Sequence, residues 1–335
     1  MLINDNKYKK TMKRISCLLT NLMAVTLLLT ACNQEELPEW DGRLYLSSGV
    51  ATLTRATHNL DEKIAEGETV WLYVDGVTGS KPAHQYYGTK LTADGSNGFS
   101  DADVMYFPAK EESINLYAFH INGPSSMPTD YPTEDLTHKV ETNQQSTAKG
   151  YAKSDLLYAT ESKTKEQVKE LGGAITLPFK HLLSKIEVVL IKDESLDGKG
   201  ISKVEILNTK LQGSFTPSKD SKDISVAPSG EIDATSNAIL IDKNKTADTN
   251  VANAPELNEA IIIPQTLKEQ TDFIRVTLDD ENDTELTYKL GAETIFAQGQ
   301  KYRYTITAKL TELIVESKIE DWKKDEGDNT GTAEL

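Results

Sequence analysis

Cysteine is nearly absent from this chain, with two in 335 residues, at positions 17 and 32. A disulfide framework or a multi-cysteine zinc site has almost nothing to be built from. Histidine is scarce too, and no two of His58, His84, His120, His138 and His181 fall at metal-ligand spacing. Basic charge is outweighed, 36 Lys plus Arg against 52 Asp plus Glu, which gives a formal net charge of −16 and a pI near 4.8. That balance argues against a nucleic-acid partner, because phosphate-backbone binding needs clustered Lys and Arg. Apolar runs are too short and interrupted for an ordinary spanning helix, helix signals are few, and no short exact repeat marks a solenoid. What is present is 38% hydrophobic, 26% charged and 7% aromatic residues. This is the composition of a folded soluble protein, and the length suggests two domains.

The first 31 residues form a separate object. Lys7, Lys9, Lys10, Lys13 and Arg14 precede an apolar run from Leu18 to Leu29, as a positive n-region precedes an h-region. Met12 serves as an alternative start without changing that reading. The run ends at Leu29-Thr30-Ala31-Cys32, which resembles the lipobox of bacterial lipoprotein signals, whose cysteine is diacylated and becomes the mature N-terminus. Removing residues 1 to 31 takes away five positive charges and Asp5, so the remaining 304 residues carry about −20, with Cys32 as their only thiol. No internal disulfide can then form. A lipid on Cys32 would tie the chain to the outer membrane, and its acidic body would discourage close contact with anionic lipid.

From Leu44 onward the dominant signal is period-two alternation in short runs, bounded by Gly, Pro, Asn and Asp. In the run from Tyr302 to Leu310, Tyr302, Tyr304, Ile306, Ala308 and Leu310 share one face, while Arg303, Thr305, Thr307 and Lys309 share the other. Strands are also expected at 43–46, 70–74, 104–107, 114–119, 156–159 and 186–191, with repeats of the pattern at Val204 and Ile206 and at Ile274, Val276 and Leu278. The best helix candidate is Lys163 to Leu171, stopped by Gly172-Gly173. Segments 122–153, 193–200 and 217–253 read as long surface loops. Antiparallel strands at this spacing predict an all-β fold of two sandwich domains with Greek-key connections, residues 32–172 and 173–335 after the signal of residues 1–31.

Catalytic and metal chemistry are hard to find. No Gly-x-Ser-x-Gly elbow is present, so no nucleophile stands out, and the histidines read as solvent-facing or hydrogen-bonded imidazoles. Asp279-Asp280-Glu281-Asn282-Asp283 crowds four carboxylates between two strands, but it lacks EF-hand spacing and reads as a solvated turn. Gly76-Val-Thr-Gly-Ser-Lys81 superficially resembles a phosphate loop, yet its glycines are too close and Pro82 follows the lysine. No cofactor, metal site or catalytic residue is expected. Trp40, Trp71 and Trp322 with 13 Tyr could build a sugar-stacking platform, which keeps a surface glycan-binding lipoprotein as the alternative function.

Several segments together resemble the fimbrillin family of Bacteroidales, the lipoprotein-derived subunits of type V pili. They are Leu53-Thr-Arg-Ala-Thr57, Glu68-Thr-Val-Trp-Leu-Tyr-Val74, Leu177-Pro-Phe-Lys-His-Leu-Leu-Ser-Lys-Ile-Glu-Val188, Ala260-Ile-Ile-Ile-Pro-Gln265, Gln298-Gly-Gln-Lys-Tyr-Arg-Tyr304 and Ile319-Glu-Asp-Trp322. The resemblance implies two transthyretin-like sandwich domains, a lipid-anchored precursor and Arg-directed proteolysis after the first strand. The matching position is Arg55, and a cut there would release residues 32–55. A sandwich that loses one strand exposes a groove of unpaired backbone, which a neighbouring subunit's strand can fill. The implied donor is the C-terminal region, where Leu313, Val315, Ile319 and Trp322 stand among charged residues. Other fimbrial subunits, the outer membrane and a receptor on a host or bacterial surface are the implied partners. Stalk, anchor and tip roles all stay open, with the long polar segments favouring an accessory or tip-like place in the fibre.

Overall fold

The computed structural model describes residues 40–50, 63–76, 88–100, 104–196, 198–220, 223–232, 237–243 and 258–322. Among these the chain is all-β. Its first nine strands are β1 (Arg43–Val50), β2 (Thr69–Gly76), β3 (Thr89–Ala93), β4 (Phe99–Ser100), β5 (Met105–Tyr106), β6 (Ser113–His120), β7 (Leu136–Lys139), β8 (Leu157–Thr164) and β9 (Ala174–His181). Then come β10 (Ser184–Lys192), β11 (Gly200–Ile206), β12 (Gln212–Phe215), β13 (Ala227–Ser229), β14 (Ile239–Ile241), β15 (Asn258–Ile262) and β16 (Gln265–Leu267). The last five are β17 (Asp272–Asp279), β18 (Glu285–Lys289), β19 (Thr294–Phe296), β20 (Gln300–Ala308) and β21 (Leu313–Asp321). Two short helices interrupt them, α1 (Gly150–Ser154) and α2 (Lys165–Glu170).

Eight strands of the first half form one sheet in the order β4-β3-β2-β6-β8-β9-β1-β5. Alternation explains which face is dry. Val70, Leu72 and Val74 on β2 stand beside His120, Ala118 and Leu116 on β6, and the same face continues through Leu157 on β8 to Ile175, Leu177 and Phe179 on β9. The other face of β2 and β6 is buried as well, because Tyr73 and Phe119 pack against Tyr131, with ring centroids 5.4 and 5.9 Å away. A sheet covered on both faces there explains why Leu116 to His120 is a continuous buried run.

In the second half, the sheet β15-β10-β20-β21 faces the sheet β14-β11-β17-β18 across one apolar core. Ile186, Val188 and Leu190 of β10 and Tyr302, Tyr304 and Ile306 of β20 contribute from one side, Val204, Ile206, Ile274 and Val276 from the other. Phe273 on β17 meets Tyr304 on β20 at 5.4 Å between ring centroids, which fixes the two layers against each other. The chain changes sheet between β9 and β10, at Leu182-Leu183. From Gly42 onward the chain is one compact unit, and β7 of the first half pairs with β12 of the second.

The turn into β9 follows from local chemistry. Thr164 caps α2 by accepting the Gln167 backbone N–H, while the Gln167 side chain accepts the Thr164 N–H, a reciprocal capping box. Gly172 and Gly173, at φ of 62° and 94°, then stop the helix and start β9.

Three sequence expectations need correction. Residues 122–153 are not simply a surface loop: they hold β7 and α1 and bury Tyr131, His138, Val140 and Tyr151. Residues 217–253 contain β13 and β14 and bury Ile224, Val226, Ile239 and Ile241. Scattered apolar residues with no clear period hid these short strands. Leu310 lies beyond the end of β20 and is 39% exposed, because the strand ends at Ala308 in the turn to β21.

Candidate strand-exchange site

The first strand is built into the sheet. β1 runs parallel to β9 in register from Tyr45 opposite Ala174 to Val50 opposite Phe179. The Tyr45 N–H donates to the Gly173 carbonyl at 2.8 Å, and the Ser47 and Thr176 hydroxyl oxygens are 3.0 Å apart. Along its other edge, among the described residues, β1 pairs with the short β5, at Arg43 and Leu44, and receives a further anchor where the Ser48 N–H donates to the Asn97 carbonyl. Its even-numbered residues point inward. Leu44 and Val50 are 6% and 9% exposed, Ser48 is buried, and Leu46 is half-buried. Taking β1 away would bare the edge of β9 and the flank of Ile175, Leu177 and Phe179.

Arg55 lies five residues beyond the end of β1, outside the described residues, and so does Cys32. A cut after Arg55 would sever the chain between β1 and everything that follows. The consequence is energetic. Burying Leu44, Val50 and part of Leu46 contributes about 5 kcal/mol. The ladder adds about as much. Fixing eight residues costs about 8 to 16 kcal/mol. A severed β1 is therefore held by little, and its place is open to exchange.

At the other end of the chain, β21 pairs antiparallel with β20 from Leu313 opposite Ala308 to Asp321 opposite Gln300. It is an edge strand. Leu313, Val315 and Ile319 share its inner face and are partly buried against the second-half core, as the alternation requires. Ile314, Glu316 and Lys318 point outward and are exposed. Charges on that outer side blunt the edge, a usual protection against pairing with other chains. Burial raises the Glu320 carboxyl, but the Lys318 hydrogen bond and the charges of Lys301, Arg303 and Lys318 outweigh it and hold the group below its usual range.

Trp322 does not join the other three donor candidates. It follows β21, is 2% exposed, and lies flat on His181 at the end of β9, with ring centroids 3.9 Å apart and planes 11° from parallel. Its backbone N–H donates to the Gly299 carbonyl at 2.7 Å, and the Lys185 ammonium stands 5.9 Å from its ring centre. His181 Nδ1 donates to the Asp155 carboxylate at about 3.0 Å, and His120 Nδ1 donates to the Asp155 carbonyl at 2.6 Å. Among the described residues neither His181 Nε2 nor Trp322 Nε1 has a hydrogen-bond partner. Each such buried atom costs about 1 to 3 kcal/mol, so this contact is well packed yet compromised. Sequence reading grouped Trp322 with the donor strand, and nothing in the spacing points to His181, 141 residues earlier.

The remaining candidates are placed plainly. His58 and His84 fall outside the described residues, and His120, His138 and His181 are buried and hydrogen-bonded. Burial pushes His138 down to about 4, consistent with its Nδ1 accepting the Asn122 N–H while Nε2 donates to the Ser154 carbonyl. The Asp279–Asp283 turn is closed by Asp280, whose carboxylate accepts from Asn282 and Thr284, and no metal-ligand cluster occurs among the described residues. Trp71 is packed against the core and Trp322 is buried, so these two form no exposed sugar platform.

The chain is similar to several known proteins. The model of a family described as fimbrillin-like matches residues 54–322. A Bacteroides uniformis protein provisionally assigned as fimbrium subunit Fim1C is 24% identical over 322 residues, covering 93% of this chain and 97% of its own. A crystal structure of a provisionally assigned cell adhesion protein from Bacteroides uniformis superposes with a TM-score of 0.55 at 19% identity, over 84% of this chain and 99% of that one. A second such structure, from Bacteroides ovatus, gives 0.52 at 16% identity, over 85% and 99%.

Proposed function

The chain belongs to the fimbrillin-like family, a family of structural rather than enzymatic proteins, and from that premise we propose that it is a subunit of a cell-surface fimbria that assembles by strand exchange. The precursor is anchored to the outer membrane through a lipid on Cys32, and an Arg-directed protease cuts after Arg55. β1 then leaves the edge of β9. A strand from a neighbouring subunit, Leu313 to Ile319 of β21, takes its place and buries Leu313, Val315 and Ile319 where Leu44, Leu46 and Val50 had been. The two sandwich domains divide after β9, at Leu182-Leu183, rather than at the Gly172-Gly173 pair expected from the sequence.

The observation that supports this reading best is the seat of β1: six residue pairs on β9, buried inward side chains, and a covalent continuation to Arg55 only five residues away. The family match covers residues 54–322 and leaves β1 outside it. The preference for a tip-like place loses part of its premise, since the described parts of residues 122–153 and 217–253 hold short strands and buried apolar side chains.

The test is digestion of the purified chain with an Arg-specific protease, followed by N-terminal sequencing and mass determination under native conditions. A new N-terminus at Ala56 with a ladder of oligomers is expected. A resistant Arg55, or a cut chain that stays monomeric, contradicts the proposal.

A further inference from the structure

β9 carries two contacts that the strand-exchange reading treats separately. Along its edge it holds β1, ending with Val50 opposite Phe179. Two residues further, on the same face as Phe179, it presents His181 to Trp322. The removable strand and the residue that ends the C-terminal strand are thus anchored on one short stretch of backbone. His181 is 1% exposed and held through Asp155, whose carbonyl is in turn held by His120 of β6. On its own side Trp322 is fixed by the Gly299 carbonyl, and Gly299 immediately precedes β20, the partner of β21.

We propose that Trp322 stacked on His181 is the positioning contact that keeps β21 on its own subunit while β1 is in place, and that departure of β1 opens it. Three features of the structure support this. β21 is an edge strand, paired on one side only and with inner apolar residues only partly buried, so a contact at its end adds to what the β20 ladder supplies. Trp322 is the one side chain at its C-terminal end that reaches the first-half sheet, among the described residues. The contact also leaves His181 Nε2 and Trp322 Nε1 without partners, and both regain hydrogen bonds to water when it opens. β9 paired on one edge by β1 is a rigid base for the stack. With that edge bare, its last residues keep only the two pairs with β8, Leu157 opposite His181 and Tyr158 opposite Lys180.

This inference rests on strand exchange as the assembly route, and its test separates the two. Hydrogen–deuterium exchange of the purified chain reads the amides of β21. In the uncut chain Trp322→Ala should speed their exchange about tenfold while the β10 amides stay protected, and Trp322→Phe, which keeps the stack, should stay near wild type. After cleavage and removal of β1, in samples dilute enough for the chain to stay monomeric, wild-type β21 should exchange as fast as in Trp322→Ala. Protection of β21 that ignores Trp322, or that is unchanged by loss of β1, overturns the proposal. Should Arg55 resist the protease, the maturation reading fails by itself, and Leu44→Asp with Val50→Asp unseats β1 instead, read on the same amides. If that double variant loses protection at β10 as well, the Trp322→Ala and Trp322→Phe pair decides alone.

Discussion

A disulfide between β1 and β9 should separate cleavage from assembly. Ser47 and Thr176 are direct register partners whose hydroxyl oxygens lie 3.0 Å apart on the outer face, away from the core. Neighbouring strands sit about 4.8 Å apart, within the span a disulfide bridges. The double variant Ser47→Cys with Thr176→Cys is made in a Cys32→Ser chain without residues 1–31, so that no other thiol is present. The bridge joins residues 129 apart, and closing so long a loop raises the stability of the intact chain by up to about 5 kcal/mol.

The larger effect is on the cut chain. Once severed, β1 is retained by no more than a few kcal/mol of packing and ladder, against its own ordering entropy. A covalent link to β9 removes that escape altogether. Under oxidising conditions the Arg-specific protease should therefore cut after Arg55 and yield monomers that keep β1. Adding a reductant should release the strand and start oligomer growth, followed by native gel or light scattering. Oxidised, cleaved chains that oligomerise as fast as reduced ones would refute the reasoning, because β9 would then not be the acceptor edge.

Other outcomes follow from the same geometry. Leu44→Ala, which removes a buried side chain from β1, should cost about 2 to 4 kcal/mol in denaturant unfolding of the uncut chain and, once the chain is cut after Arg55, should speed the loss of β1. Glu187 is buried beside Lys185, Lys301 and Arg303, and Glu187→Ala should cost about 1 to 3 kcal/mol, since Lys185 keeps Glu259 and Lys301 keeps Glu320 while Arg303 loses its partner there. Gly150→Ala should destabilise by about 3 kcal/mol, since a Cβ there would collide with the Asn143 carbonyl oxygen, a backbone atom. His138 is held neutral, with its folded value pushed down to about 4 from an unfolded 6.5. The unfolded chain binds its proton first, so the contribution of His138 is fully present above about pH 6.5 and lost as pH falls toward 4, up to about 3 kcal/mol. Replacing His138 by Gln should flatten that part of the stability–pH curve.

The strands with regular alternation and buried β-branched or aromatic residues were readable from the sequence. Tyr302, Tyr304 and Ile306 face the core as the period requires, and Val70 to Val74 and Ile114 to Phe119 lie within β2 and β6. The Gly172-Gly173 pair likewise marks the end of α2 through chemistry that is local, whereas the Thr164–Gln167 capping box at its start emerges only in the structure. What could not be read is long-range. The parallel pairing of β1 with β9 depends on a crossover that no local pattern encodes, and the pairing of β7 with β12 joins residues more than 70 apart. Short strands such as β7, β13 and β14 have too few residues for a period to emerge. The inner face of β21 was legible at Leu313, Val315 and Ile319, whereas the place of Trp322 was not, since its partner His181 belongs to another sheet.

Cross-subunit disulfide mapping bears most directly on whether one molecule's C-terminal strand fills another's vacated edge. Chains carrying Thr176→Cys on β9 are mixed with chains carrying a single cysteine at Ile314, Glu316 or Lys318 on the outward side of β21, both in the Cys32→Ser background and both cut after Arg55. A disulfide-linked pair of different chains, strongest at one of the three positions and absent before cleavage, is the predicted result. Equal or absent linkage at all three positions, with oligomers nonetheless present, would contradict it.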